Sequence, residues 1–353
     1  MSGAVSHPQH AAVRPEWLAS CQEDALDAAQ PIVDAHMHLY DRPNARYLLD
    51  DLLQDVAIGH DIRASVFVQA RAMLRADGPD AMKPIGETEF ANGVAAMSAS
   101  GLYGPARLCA AIIGAADLML GDAVRPVLEA HSAVAPRRFR GIRHTLAWDP
   151  DPTLLNPAYS VTEDLMSTPV FRAGFSHLAA LGLGFDAWLL FHQLPRLADL
   201  ARAFPDLPIA VDHCGGILGI GPYAGKQDDV FRTWSMGLRE LAACPNVMIK
   251  VGGLGMRMCG FGLDASDRPA SSSQLAIAWR PWVETVIEIF GAHRCMFESN
   301  FPVDKGSCSY AVVWNAFKRL ATQASKAEKD DLFWRSAASF YRLESDDLGG
   351  LSV

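Results

Sequence analysis

Within the run PIVDAHMHL two histidines, His36 and His38, stand two residues apart, with Asp34 two residues before them. Side chains at i and i+2 of an extended strand share a face, so the three line up along one side of an otherwise apolar segment. Two imidazoles above a carboxylate offer a pair of nitrogen ligands for one divalent metal, or a cationic floor for an anionic substrate. Burying such rings in an apolar strand carries a desolvation cost that a merely structural role does not offset.

Further residues of the same chemical kind fall at the ends of later apolar runs. His213 closes VDHC and is followed by two glycines, which permit close approach of backbone to a ligand. His192 follows in LLFHQLP; with His36, His38 and His213 it completes a four-imidazole set of candidate metal ligands. The last run ends in FESNFPVDK, where Glu298 or Asp304 could hold and deprotonate an attacking water, with Asn300 on the same face as Glu298. Arg143 and His144 end one run, Arg71 follows another and Lys250 lies within a third. These cations suit a carboxylate-bearing substrate, Arg143 with a bidentate fork that a lysine lacks. Trp188 and Trp148 are candidates for the wall of a pocket.

The elements that must position these groups are eight short β-rich runs, at 31–39, 64–70, 107–115, 139–146, 183–190, 208–214, 246–252 and 294–300. Between them lie amphipathic segments, among them 121–131, 195–204 and 281–290. Strands alternating with helices imply parallel pairing with right-handed crossovers. Eight repeats imply a closed (β/α)8 TIM barrel, with an open doubly wound sheet as the alternative. Residues 71–106, 147–172 and 253–280 exceed ordinary connections, and each follows a strand end, where barrel enzymes grow specificity loops. The expected organisation is an N-terminal arm, 1–30, and one barrel domain, 31–345. His7 and His10 fall in the arm and are read as surface residues.

Bulk composition narrows the partners. Of 353 residues half are apolar and a fifth charged, the profile of a globular chain. A net charge of −9 argues against a nucleic-acid partner. No run reaches the roughly 18 apolar residues of a membrane helix, and the N-terminus lacks a secretory pattern. Seven cysteines stand singly, with no CxxC pair, and point to reduced thiols in a cytoplasmic protein. The expected partner is a small molecule, and self-association into a homo-oligomer is compatible with all of this.

The motifs DAHMH (34–38), VFVQ (66–69), GIRH (141–144), FDAW (185–188), HQLP (192–195), DHCGG (212–216), KVGG (250–253) and MFESNFPVD (296–304) occur in order. Together they resemble the amidohydrolase-2 family of the amidohydrolase superfamily, in its branch of sugar-lactone and 2-pyrone-4,6-dicarboxylate lactonases, over about residues 31 to 343. The resemblance implies a (β/α)8 barrel and water-dependent opening of a lactone or related ester or amide. It makes His36 and His38 the first-strand pair and His213 the later strand-end histidine. Many members bind one zinc, and some lactonases of this branch work without a metal. The family's eighth strand usually ends in Gly-Ser-Asp, whereas this chain has Glu298-Ser299-Asn300. An amide cannot deprotonate water and is a poor zinc ligand, so the negative charge is sought in Glu298 or Asp304. The superfamily also holds zinc-dependent decarboxylases of aromatic and muconate-type acids, and Asn300 leaves room for a non-catalytic barrel that binds a small acid.

Overall fold

The computed structural model describes residues 11–43 and 45–351; His7 and His10 lie outside them. Eight parallel strands follow one another around a single sheet. We number them β1 (Pro31–Met37), β2 (Asp61–Val68), β3 (Arg107–Gly114), β4 (Phe139–Thr145), β5 (Gly184–Trp188), β6 (Ile209–Val211), β7 (Val247–Val251) and β8 (Cys295–Phe297). Each is followed by a helix, from α1 (Leu49–Val56) and α2 (Ile85–Ala99) to α7 (Ser272–Phe290) and α8 (Tyr310–Leu320).

The ring closes just past the ends of β1 and β8. There the Asn300 amide donates to the His36 carbonyl (3.0 Å) and the His38 amide to the Phe301 carbonyl (2.7 Å). The fold is a (β/α)8 barrel, and its closure sets the Glu-Ser-Asn end of β8 directly beside the histidine pair. From the opposite end, the segment through Ser336–Phe340 packs Ala337, Ala338 and Tyr341 against Val33, Val66 and Ala110.

Several boundaries differ from the sequence expectation. Residues 71–106 contain the helix α2, whose small and apolar side chains leave no clear polar stripe to announce it. The last third of 253–280 is likewise helical, because α7 starts at Ser272 under a cap in which Ser271 and Gln274 exchange hydrogen bonds. The segment after β3 turns at Gly121, and its α-helix begins only at Arg125, so Pro126 sits in a first turn that needs no N–H. The described part of the arm lies on the barrel: the Ser272 amide donates to Glu23 (2.7 Å) and the Leu26 amide to Asn315 (2.8 Å). Among the described residues no helix is long and apolar enough to cross a membrane, and all seven cysteines are free.

Candidate active site

His36 is fully buried in β1 and is the hub of a charged network. Its Nε2 lies 3.1 Å from His38 Nε2 and 3.2 Å from an Arg143 nitrogen. Its Nδ1 lies 3.0 Å from Lys250 Nζ, 3.1 Å from Glu298 Oε2 and 3.4 Å from Asp212 Oδ1. Lys250 also pairs with Asp186 (2.6 Å) and Asp212 (3.0 Å), and Tyr341 donates to Asp186 from below. Lys250 is wholly buried and is not among the residues that line the cavity above; it supports His36 from beneath.

Above this network a cavity of about 300 Å³ opens at the C-terminal ends of the strands, lined by His38, His213, Arg143, Trp188 and Asn300. Its far wall comes from the long connection after β4, through Leu154, Asn156 and Tyr159. Trp188 meets the His213 ring edge-on at 4.9 Å. The His38 Nδ1 sits 2.7 Å from the Val68 carbonyl, which fixes the tautomer that donates there and leaves a lone pair on Nε2. Glu298 Oε1 accepts from the His213 backbone amide (3.0 Å) and lies 2.7 Å from its Nδ1.

Burial dominates the ionisation of the site. It lowers the His36 pKa to about 4, helped by the Lys250 charge, and puts His38 well below the ordinary imidazole range, helped by His36 and Arg143. Both rings are therefore neutral near pH 7, the form that accepts protons and binds metals. Burial alone would raise Glu298 and Asp212. Glu298 is nevertheless held low by His213 and His36, and Asp212 by Lys250, His36 and Arg143. For Asp304 burial wins: it pushes the carboxyl up to about 7 against the opposing Gly255 amide, His213 and Asn300.

The remaining candidates divide clearly. Neither Glu298 nor Asp304 lines the cavity: Asp304 accepts from the Gly255 amide and from Asn300 Nδ2, and so orients Asn300 from behind. His144 faces outward, held by the Leu118 amide and ringed by Phe171, because its neighbour Arg143 faces inward and strand side chains alternate. His192 stands beyond the β5 end on a helical turn, 3.0 Å from Asp149, and Trp148 packs against it; neither reaches the cluster or the cavity. Arg71, with φ +57°, stacks on Tyr159 and donates to the Ala158 carbonyl, which clasps the far wall and leaves the cavity lining to others.

Sequence reasoning missed Asp186, Asp212, Glu87 and Arg42. Asp186 and Asp212 lie inside the motifs FDAW and DHCGG, and Arg42 continues the alternation of residues 36, 38 and 40 past β1. Glu87 carried no signal of its own.

Comparison with known proteins decides the family. The Amidohydrolase family model matches residues 33–343. The chain belongs to the amidohydrolase family. The uncharacterized protein y4mH of Sinorhizobium fredii is 32% identical over 334 residues, 88% of this chain and 98% of its own. An L-fucono-1,5-lactonase of Burkholderia ambifaria is 30% identical over 242 residues, 67% of this chain and 71% of its own. The crystal structure of an amidohydrolase from Burkholderia multivorans with bound zinc has a TM-score of 0.67 at 26% identity, covering 89% of this chain and 99% of that one.

In this amidohydrolase, a hydrolase by family, His36, His213 and Glu298 offer ligand atoms within 4.8 Å of one another. Glu298 Oε2 is buried and makes no well-aligned hydrogen bond, its near neighbour being His36 Nδ1 at 3.1 Å. Neutral nitrogens and a carboxylate are the donors that zinc prefers, and the cluster fits one divalent ion of that kind.

Proposed function

We propose that this amidohydrolase opens a small, anionic lactone or related cyclic ester with water, using the 31–345 barrel as its catalytic unit. The observation that carries this reading is the make-up of the cavity. Its described lining holds two guanidinium groups, Arg42 and Arg143, and two imidazoles, His38 and His213, with no carboxylate. Such a surface attracts an anion and stabilises one that develops during reaction.

A divalent ion, zinc by its donors, would be held by His36, His213 and Glu298. When bound it would supply a more acidic water and a polarised carbonyl. The chain's own groups account for the proton and the charge. His38 Nε2, which carries its lone pair at the cavity floor 3.1 Å from His36 Nε2, takes a proton from water as the new C–O bond forms at the lactone carbonyl. The resulting oxyanion faces Arg143, whose ion pair with Asp212 at 3.3 Å fixes the guanidinium in place. Collapse breaks the ring C–O bond, and His38 returns the proton to the departing ring oxygen, giving a hydroxy acid. Asn300 presents a buried Oδ1 without a partner, an acceptor that could orient the water. Free cysteines, six of them buried, are in keeping with a cytoplasmic location.

A lactone panel read by acid release tests the reading. Ring opening with loss of activity in His38→Gln is the expected result. Carbon dioxide release from aromatic acids, with every lactone inert, would replace hydrolysis by decarboxylation.

A further inference from the structure

Of the two arginines that line the cavity, Arg143 is already committed. Beside Asp212, its NH2 group donates to the Gln69 carbonyl at 2.6 Å and its NH1 group meets His36. Arg42 is not. It ends the short strand Tyr40–Arg42, which pairs antiparallel with Ala45–Tyr47 and so fixes its backbone. Its guanidinium lies over the Tyr40 ring at 4.5 Å and donates to the Ala70 carbonyl, and it pairs with no carboxylate among the described residues. A guanidinium offers five N–H donors in a rigid fork, so most of this fork remains available on the wall of a cavity that contains no negative group of its own.

Both arginines hang from one loop. The carbonyls of Gln69 and Ala70 hold Arg143 and Arg42, while the amides of Ala70 and Ala72 are gripped by the buried Glu87 (2.7 and 3.1 Å). The separation of the two cations is thus set by a single rigid piece of backbone.

We propose that Arg42 is the specificity-determining residue of this site and binds a carboxylate carried by the substrate, while Arg143 stays with the reacting carbonyl. This rests on the lactonase reading and narrows its substrates to lactones bearing a carboxylate away from the scissile bond.

The test compares 5-oxotetrahydrofuran-2-carboxylate with its carboxamide. Wild type prefers the carboxylate, and Arg42→Gln lowers the ratio of the two kcat/KM values roughly 10- to 100-fold, the value of a charged hydrogen bond, mainly through KM. Arg42→Lys, which keeps the charge, retains more of the preference than Arg42→Gln. An unchanged ratio in Arg42→Gln overturns the proposal, and equal loss in both variants assigns Arg42 to structure alone. Should wild type hydrolyse neither compound nor any other lactone of the panel, the lactonase reading fails by itself. Arg42 is then judged by melting temperature with tetrahydrofuran-2-carboxylate, which raises it in wild type but not in Arg42→Gln; equal shifts in the two proteins overturn the assignment.

Discussion

Glu298 holds His213 at two points through one oxygen, its Oε1 lying 3.0 Å from the backbone amide and 2.7 Å from Nδ1. Its other oxygen faces His36 at 3.1 Å. One buried side chain just past β8 therefore ties together histidines from β1 and from the β6 end, and both contacts hold its carboxyl pKa down against burial.

Replacing that charge should disconnect them. Glu298→Gln keeps the length and the acceptor for the His213 amide but removes the anion. If the cluster holds zinc, affinity should fall by more than the roughly 10- to 100-fold that follows loss of even an outer partner of a metal ligand, because Glu298 is itself a ligand, with a parallel fall in kcat. Zinc titration followed by turnover measures both, and full zinc stoichiometry with normal turnover would deny Glu298 its role.

Much of this was legible in the chain. The eight runs stood out because parallel barrel strands are apolar along their length and bounded by turn residues, and the His-x-His spacing marked the inward face of β1. What stayed hidden depended on context. His144 and Arg143 were equally plausible by type, and only the facing of β4 decided between them. Lys250 resembled a substrate ligand, yet it lies beneath His36 because β7 carries it below the cavity floor. Arg42 and Glu87 acquire meaning only through the loop at Gln69–Ala72, which sequence spacing could not bring to them.

The pH profile should reflect the buried imidazoles. Since the neutral rings are the working forms and burial lowers both pKa values, His36 to about 4, protonation of these rings should cost kcat/KM nothing from pH 8 down past 6. The acid limb should lie nearer pH 4 than the ordinary 6.5 of histidine. A limb centred at 6.5 or above would show that neither ring governs catalysis.

The glycines after β7 are spaces reserved for the site. A Cβ on Gly253, where φ is +65°, would come within 2.6 Å of His213 Cβ, Cγ and Nδ1. Gly253→Ala should therefore displace the imidazole and cost about 1–3 kcal/mol through overpacking and left-handed strain. Gly225→Ala supplies the control, with φ +73° and open space around the new methyl. The control should lose some stability but no activity, while Gly253→Ala loses both; equal activity in the two variants would mean that His213 tolerates the shift.

Glu87 provides a test of the loop that carries the two arginines. Burial raises its pKa to about 7, against its usual 4.5, with the amides of Ala70 and Ala72 and the charges of Arg143 and Arg42 opposing. Between those two pH values the folded chain binds a proton that the unfolded chain has released. The stabilising contribution is therefore complete below pH 4.5 and is lost as pH rises through 7. Gln keeps an acceptor oxygen for both amides and cannot ionise, so Glu87→Gln should be nearly neutral at pH 4.5 and should gain about 1–3 kcal/mol at pH 8. Denaturant midpoints at the two pH values measure this. A destabilised variant at pH 8 would mean that Glu87 is charged in the folded protein and that its attraction to Arg42 and Arg143 outweighs the cost of burial.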